Sequence, residues 1–290
     1  MSNYFPTFKR LMRKKLFRGS FLRKIALIII LIASFIIIKD QIEYSLSIGS
    51  WSDDSDYINN ESEYGECNVK GILLRGELAL FINESSEYMQ SSSEDIVYAI
   101  KEAEEDANIK AILIEVDSHG GYPVADEEVA NALIRAKKPT IALVRGLAAS
   151  ASYYAITGAD IIFASQDSDI GSIGVTASYL DYSEMNEKKG VNFNILSTGK
   201  YKDIMSEDKE LTEDEKELIL RDLNIMNDNF IQAVATNRDL DVEKVRSLAD
   251  GSTMLGKMAM EAGLIDRIGG EYEVKDYLKD IIGEEVNICW

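Results

Sequence analysis

Four short apolar runs alternate with segments of helical period, and this rhythm constrains the fold more than any other feature of the chain. The runs are "VKGILLRGEL" (69–78), "IKAILIEVDS" (109–118), "PTIALVRG" (139–146) and "GADIIFAS" (158–165). Each is too short for a core helix and apolar on both faces, as expected of parallel strands covered from two sides. Between them, "SSSEDIVYAIKEAEED" (91–106) opens on capping serines and places Ile96, Ala99, Ile100 and Ala103 on one helical face. "VADEEVANALIRAKK" (124–138) is a second helix. "TEDEKELILRDLNIMNDNFIQAVATNR" (212–238) is a long third one, with Leu218, Leu223, Met226, Phe230 and Val234 supplying its apolar stripe. "VNFNILSTG" (191–199) reads as a further strand. Strands alternating with helices, and no internal repeat, predict one α/β domain over residues 67–290 with a largely parallel sheet flanked by helices.

Charge divides the chain sharply. Residues 1–39 hold nine Lys/Arg and no Asp/Glu, so the rest carries 22 basic and 50 acidic residues, a net of −28. A body that acidic repels phosphate backbones, which excludes nucleic acid as an expected partner. The basic block, residues 1–20, runs into "IALIIILIASFIII" (25–38), whose only polar residue is Ser34. Those residues span roughly 21 Å as a helix, and starting at Phe21 lengthens the segment to roughly 27 Å, enough for a thin bilayer. Against a cleaved signal peptide or a buried core helix, basic residues before it and acidic ones after it favour a single transmembrane anchor over residues 21–39 with the N-terminus cytoplasmic. Residues 40–66, polar and acid-rich, read as a tether that places the body on the extracytoplasmic side of the cell membrane. Cys67 and Cys289 stand at the two ends of that body. The compartment permits a disulfide, but the sequence does not decide one. Two cysteines and one histidine cannot build a tetrahedral metal site, and no cofactor is expected.

Three segments carry candidate chemistry. "DSHGGY" (117–122) ends a strand on two glycines whose amides can turn toward a pocket, or which simply make a tight turn. "GLAASASYYAI" (146–156) puts Ser150 between a strand and a helix start. There it is either a helix cap or a nucleophile beside the Ala151 amide; Ser152 competes for the same role. "STGKYKDIMSEDKELTEDE" (197–215) holds Lys200 and Lys202 in a polar loop. A lysine base needs a neutral amine near pH 7, which desolvation favours. The sole histidine, His119, precedes the glycines and is poorly placed to serve Ser150 as well. If Ser150 is activated, lysine is the base the inventory leaves.

Taken in order, "VDSHGG", "GLAASASYYAITGADIIFAS", "GSIGV", "TGKYKDIM", "LTEDEK" and "GLIDRIGG" resemble the signal peptide peptidase A family of membrane-anchored serine peptidases, in its short single-domain form. The resemblance covers about residues 69–280. It implies a Clp/crotonase-like fold and a Ser-Lys dyad, with Ser150 as nucleophile, Lys202 as general base and Ser172 hydrogen-bonded to that lysine. It further implies an oxyanion hole from the backbone N–H groups of Gly121 and Ala151, with Gly120 close by. The implied substrates are remnant signal peptides or other apolar peptides. The implied assembly is a homo-oligomer in which lysines act across subunits. The chain departs from the family at His119, where proline is usual, and at Ala151-Ser152, where Gly-Gly is usual. Alanine would be strained if its position needed a positive φ. Two other readings use the same segments: a catalytically weak homologue acting as a membrane-associated scaffold, and an acyl-CoA enzyme of the crotonase type. An anchored, acidic, external body disfavours the latter.

Overall fold

The computed structural model describes residue 39, residues 67–83 and residues 85–290. The predicted anchor and tether fall outside these, apart from Lys39. Among the described residues no helix is long and apolar enough to cross a membrane. The chain divides into the units Met1–Tyr64 and Gly65–Trp290, and the second unit holds the sheet.

All four apolar runs form strands: β1 (Val69–Ala79), β3 (Ala111–Gly121), β4 (Thr140–Ala149) and β5 (Ile161–Ala164). With the short β2 (Gln90–Ser92) and β8 (Arg267–Ile268) they make the order β2-β1-β3-β4-β5-β8, every pair parallel. The sheet is completed by β9 (Ile288–Cys289) beside β1 and by β6 (Asp169–Gly171) beside β4. The one antiparallel pairing among the described residues joins β6 to β7 (Thr253–Leu255). The fold is therefore α/β with a mostly parallel sheet.

Period-two alternation along β3 explains why both faces are apolar. Ile112, Ile114 and Val116 enter the larger core with α1 (Ser93–Glu105) and α2 (Pro123–Arg135), whereas Leu113 joins Leu143, Phe163, Val274 and Leu278 on the opposite face. There α8 (Glu271–Ile282) supplies the cover. Helix α1 is capped as its serines predict, by the Ser92 hydroxyl accepting from the Asp95 amide at 3.1 Å. At the ends of the body, Cys67 and Cys289 form a disulfide, with Cα atoms 5.8 Å apart. It settles the pairing that the sequence left undecided.

Two expectations need correction. Residues 191–199 contain no strand; they are exposed and irregular. Their alternation of Val191, Phe193 and Ile195 finds no sheet edge in this fold, and all three remain more than 40% exposed. The long helix α5 (Glu213–Asn237) exists, but only its C-terminal half is core: Phe230 and Val234 are buried, while Met226 is 38% exposed. Its stripe continues past the body it packs on.

Candidate active site

Strand β4 ends at Ala149 and the short helix α3 (Ala151–Ile156) begins at Ala151, so Ser150 alone makes the turn. Its backbone stands at φ 53° and ψ −127°, a left-handed conformation that non-glycine residues rarely adopt and that costs about 1–3 kcal/mol. A strained strand-to-helix turn that pushes a serine hydroxyl outward is the geometry of a nucleophile elbow. The backbone is held there from two sides. The Ser150 amide donates to the Gly171 carbonyl at 2.8 Å, extending the β4–β6 ladder, and the Ser150 carbonyl accepts from Tyr154 at 3.0 Å. Ser150 makes no capping bond with its side chain, so its hydroxyl is not a helix cap.

Ser152 has a different task. It is wholly buried; its Oγ accepts from the Ala149 amide at 3.0 Å and lies 2.7 Å from the Ser118 carbonyl and 2.9 Å from that of Ala149. That hydroxyl stitches β3 to β4 beneath the turn. Ala151 carries no positive φ, so alanine is unstrained where the family usually has glycine. As the first helical residue it leaves its N–H without an intrahelical acceptor.

The two glycines lie opposite. Gly120, at φ 107°, comes so close that a Cβ on it would stand 2.9 Å from the Ser150 Cβ and 3.0 Å from the Ala151 nitrogen. Only glycine permits this approach. Its N–H donates to Ser118 Oγ at 3.2 Å. Gly121 faces β1, where a Cβ would collide with the Leu78 backbone. Ser172, also left-handed at φ 49°, lies across the same cleft, its amide on the Ser252 carbonyl at 2.9 Å and its hydroxyl on the Gly251 carbonyl at 3.0 Å.

Ser150, Ala151, Gly121 and Ser172 border a cleft of about 750 Å³ that also takes in His119, Asp126, Tyr154, Leu223, Met226 and Phe230. Burial, the main cause, pushes the Asp126 carboxyl up to about 8, opposed by the neighbouring Glu127 amide. Burial, with the Asp126 and Glu127 charges behind it, pushes the Tyr154 phenol up to about 12. Among the described residues no cluster of His, Cys, Asp and Glu could hold a metal ion.

The lysines stand apart from this cleft. Lys202 lies exposed in the turn at residues 200–205, and neither it nor any other Lys or Arg is among the residues lining the cleft. The expected hydrogen bond between Ser172 and Lys202 is not made: the Ser172 hydroxyl is taken by the Gly251 carbonyl instead. Lys200, the other candidate base, pairs with Asp214 at 2.5 Å; that hydrogen bond is the main influence holding its ammonium protonated beyond the usual range. The structure thus brings Ser150, Ala151, Gly120, Gly121 and Ser172 together and leaves Lys202 outside. Asp126 is not among the sequence-derived candidates, although its signal is present: a carboxylate on the α2 stripe that also carries Val129, Ala130 and Leu133.

Residues 132–284 match the model of Peptidase family S49. A protein of Enterococcus faecium, provisionally named signal peptide peptidase SppA, is 35% identical over 216 residues, covering 73% of this chain and 61% of that one. A Methanocaldococcus jannaschii protein, provisionally named a protease, is 31% identical over 227 residues, 77% of this chain and 73% of its own. "Serine protease SPPA, chloroplastic" of Arabidopsis thaliana is 32% identical over 181 residues, 61% of this chain and 27% of that one. Among solved structures, a ClpP1 mutant from Listeria monocytogenes is similar over 70% of this chain and 92% of its own, at 14% identity and a TM-score of 0.46. With its elbow serine between β4 and α3 and a family match over more than half its length, the chain belongs to Peptidase family S49, the SppA-type serine peptidases.

Proposed function

We propose that the protein is a Ser-Lys endopeptidase, anchored by its N-terminal segment, that cleaves remnant signal peptides or other apolar peptides at the extracytoplasmic membrane face. The observation that carries the reading is the Ser150 turn: a serine held at φ 53° over a cleft, with the neighbouring Ser152 hydroxyl committed to the backbone. In this reading Ser150 Oγ attacks the peptide carbonyl. The amides of Ala151 and Gly121 receive the oxyanion, each such donor lowering the barrier by about 3 kcal/mol. Gly120 supports the hole by its close approach. A neutral Lys202 takes the hydroxyl proton, returns it to the leaving amine, and water then hydrolyses the acyl-enzyme.

Because Lys202 is exposed and outside the cleft of its own protomer, the reading includes a homo-oligomer in which a neighbour's turn delivers it. The half-exposed outer part of α5, with Leu220 at 56% and Ile225 at 54%, offers apolar surface for such packing. Cleavage of apolar fluorogenic peptides by the full chain tests this. Ser150→Ala and Lys202→Ala should each lose at least about a thousandfold in kcat. Retained turnover in either variant would remove the dyad.

A further inference from the structure

The cleft beside Ser150 mixes apolar walls with asparagines of α5 and three acidic residues, Asp126, Glu127 and Asp250. Tyr154 and Phe230 pack with ring centroids 5.2 Å apart, and Leu223 and Met226 continue the wall from α5. Asp126 lines the same cavity from the first turn of α2 and is 5% exposed. Among the described residues no ion pair includes it. The ionisable groups that share the cavity are Glu127 on the same helix, Tyr154 on α3, His119 at the end of β3 and Asp250 beyond β6; none is a lysine or arginine. A carboxylate buried on this helix stripe costs desolvation, which the neighbouring Glu127 amide offsets only in part. A cation arriving from outside would supply the counter-charge that the cleft itself does not.

We propose that this cleft is a substrate subsite for a lysine or arginine side chain, whose methylene stem lies along Tyr154, Phe230 and Met226 while its cationic tip pairs with Asp126. A long basic side chain has that division between apolar stem and charged head. In the empty cleft the acid is largely protonated at neutral pH, consistent with its upward shift. Entry of the cation ionises it, and the proton leaves to solvent. The preferred peptide is then apolar with one basic residue at a fixed distance from the cut. This inference rests on the peptidase reading and narrows its substrate class.

The test uses the full chain and a set of internally quenched apolar peptides. Each position near the scissile bond carries in turn lysine or norleucine, its uncharged counterpart. The proposal expects one position at which lysine exceeds norleucine by about tenfold or more in kcat/KM, the range of a charge-assisted hydrogen bond. In Asp126→Asn, which matches the shape of the neutral acid, that ratio should fall to near one. No position favouring lysine, or a ratio unchanged by Asp126→Asn, overturns the proposal. So does an equal change on all peptides with a shifted pH profile, which would assign the acid to a neighbour's lysine. If no peptide is cleaved, the peptidase reading fails separately. Fluorescence-polarisation binding of the same peptides to full-chain Ser150→Ala still reads the lysine preference, and equal binding of both forms sinks it.

Discussion

Ser150 and Ser152 are two residues apart in a run of small side chains, and nothing in "AASAS" distinguishes them. The difference is a backbone torsion and a set of hydrogen bonds, both of which depend on β3 and β6 arriving beside the turn. Ser150 takes φ 53° because its amide must reach Gly171 while the chain reverses from strand to helix. The strain belongs to the backbone, so removing the hydroxyl does not relieve it. Ser150→Gly should therefore be more stable than Ser150→Ala by about 1 kcal/mol, although both are inactive. Paired denaturant titrations check this, and equal stabilities would mean the turn is relaxed. Asp126 is also legible in part: a charged residue on an apolar stripe is visible in "PVADEEVANAL". That it lines the Ser150 cleft is not, because α2 and α3 are brought together only by the sheet.

Among the elements, the strands are readable from their period, α1 from its period and its Ser92 cap, and α2 from its period and the proline at its start. The segment 191–199 is not, since alternation alone does not supply a neighbouring strand. The turn carrying Lys202 is tied to the start of α5 by a small network. Lys209 bridges Glu215 at 2.5 Å and Asp203 at 3.1 Å, while Thr212 and Glu215 form a reciprocal cap. The Lys209 ammonium, followed by the Thr212 amide, holds the Glu215 carboxyl down at about 2, against an ordinary 4.5. A lowered carboxyl stabilises the fold fully above its unfolded value and loses that contribution as pH falls from about 4.5 toward 2. Glu215→Gln should therefore flatten the acid limb of a stability-versus-pH curve in that window. An unchanged limb would dissociate the network from the fold's acid sensitivity. The disulfide works at the same scale, clamping β1 to β9 across 222 residues of sequence. Cys67→Ser should cost about 2–5 kcal/mol, read as a shift in denaturant midpoint; no shift would mean that the β1–β9 pairing holds alone.

At the scale of the whole molecule, the order of motifs identifies the family in the sequence, and the fold explains why they are spread so widely. Gly121, Ser150 and Ser172 come from three separate strand ends that converge at one cleft. Lys202 does not converge with them, and no spacing in the sequence could have revealed that, because the distance is set by tertiary packing. The central claim is that Ser150 acts with a Lys202 contributed by another copy. Co-assembly of full-chain Ser150→Ala with full-chain Lys202→Ala tests it most directly. Each variant alone should be inactive on an apolar peptide. An equal mixture should recover activity at about a quarter of its sites, where an intact serine meets an intact neighbouring lysine. Mixed oligomers, verified by affinity pull-down of one tagged variant with the other, that remain inactive would contradict the account.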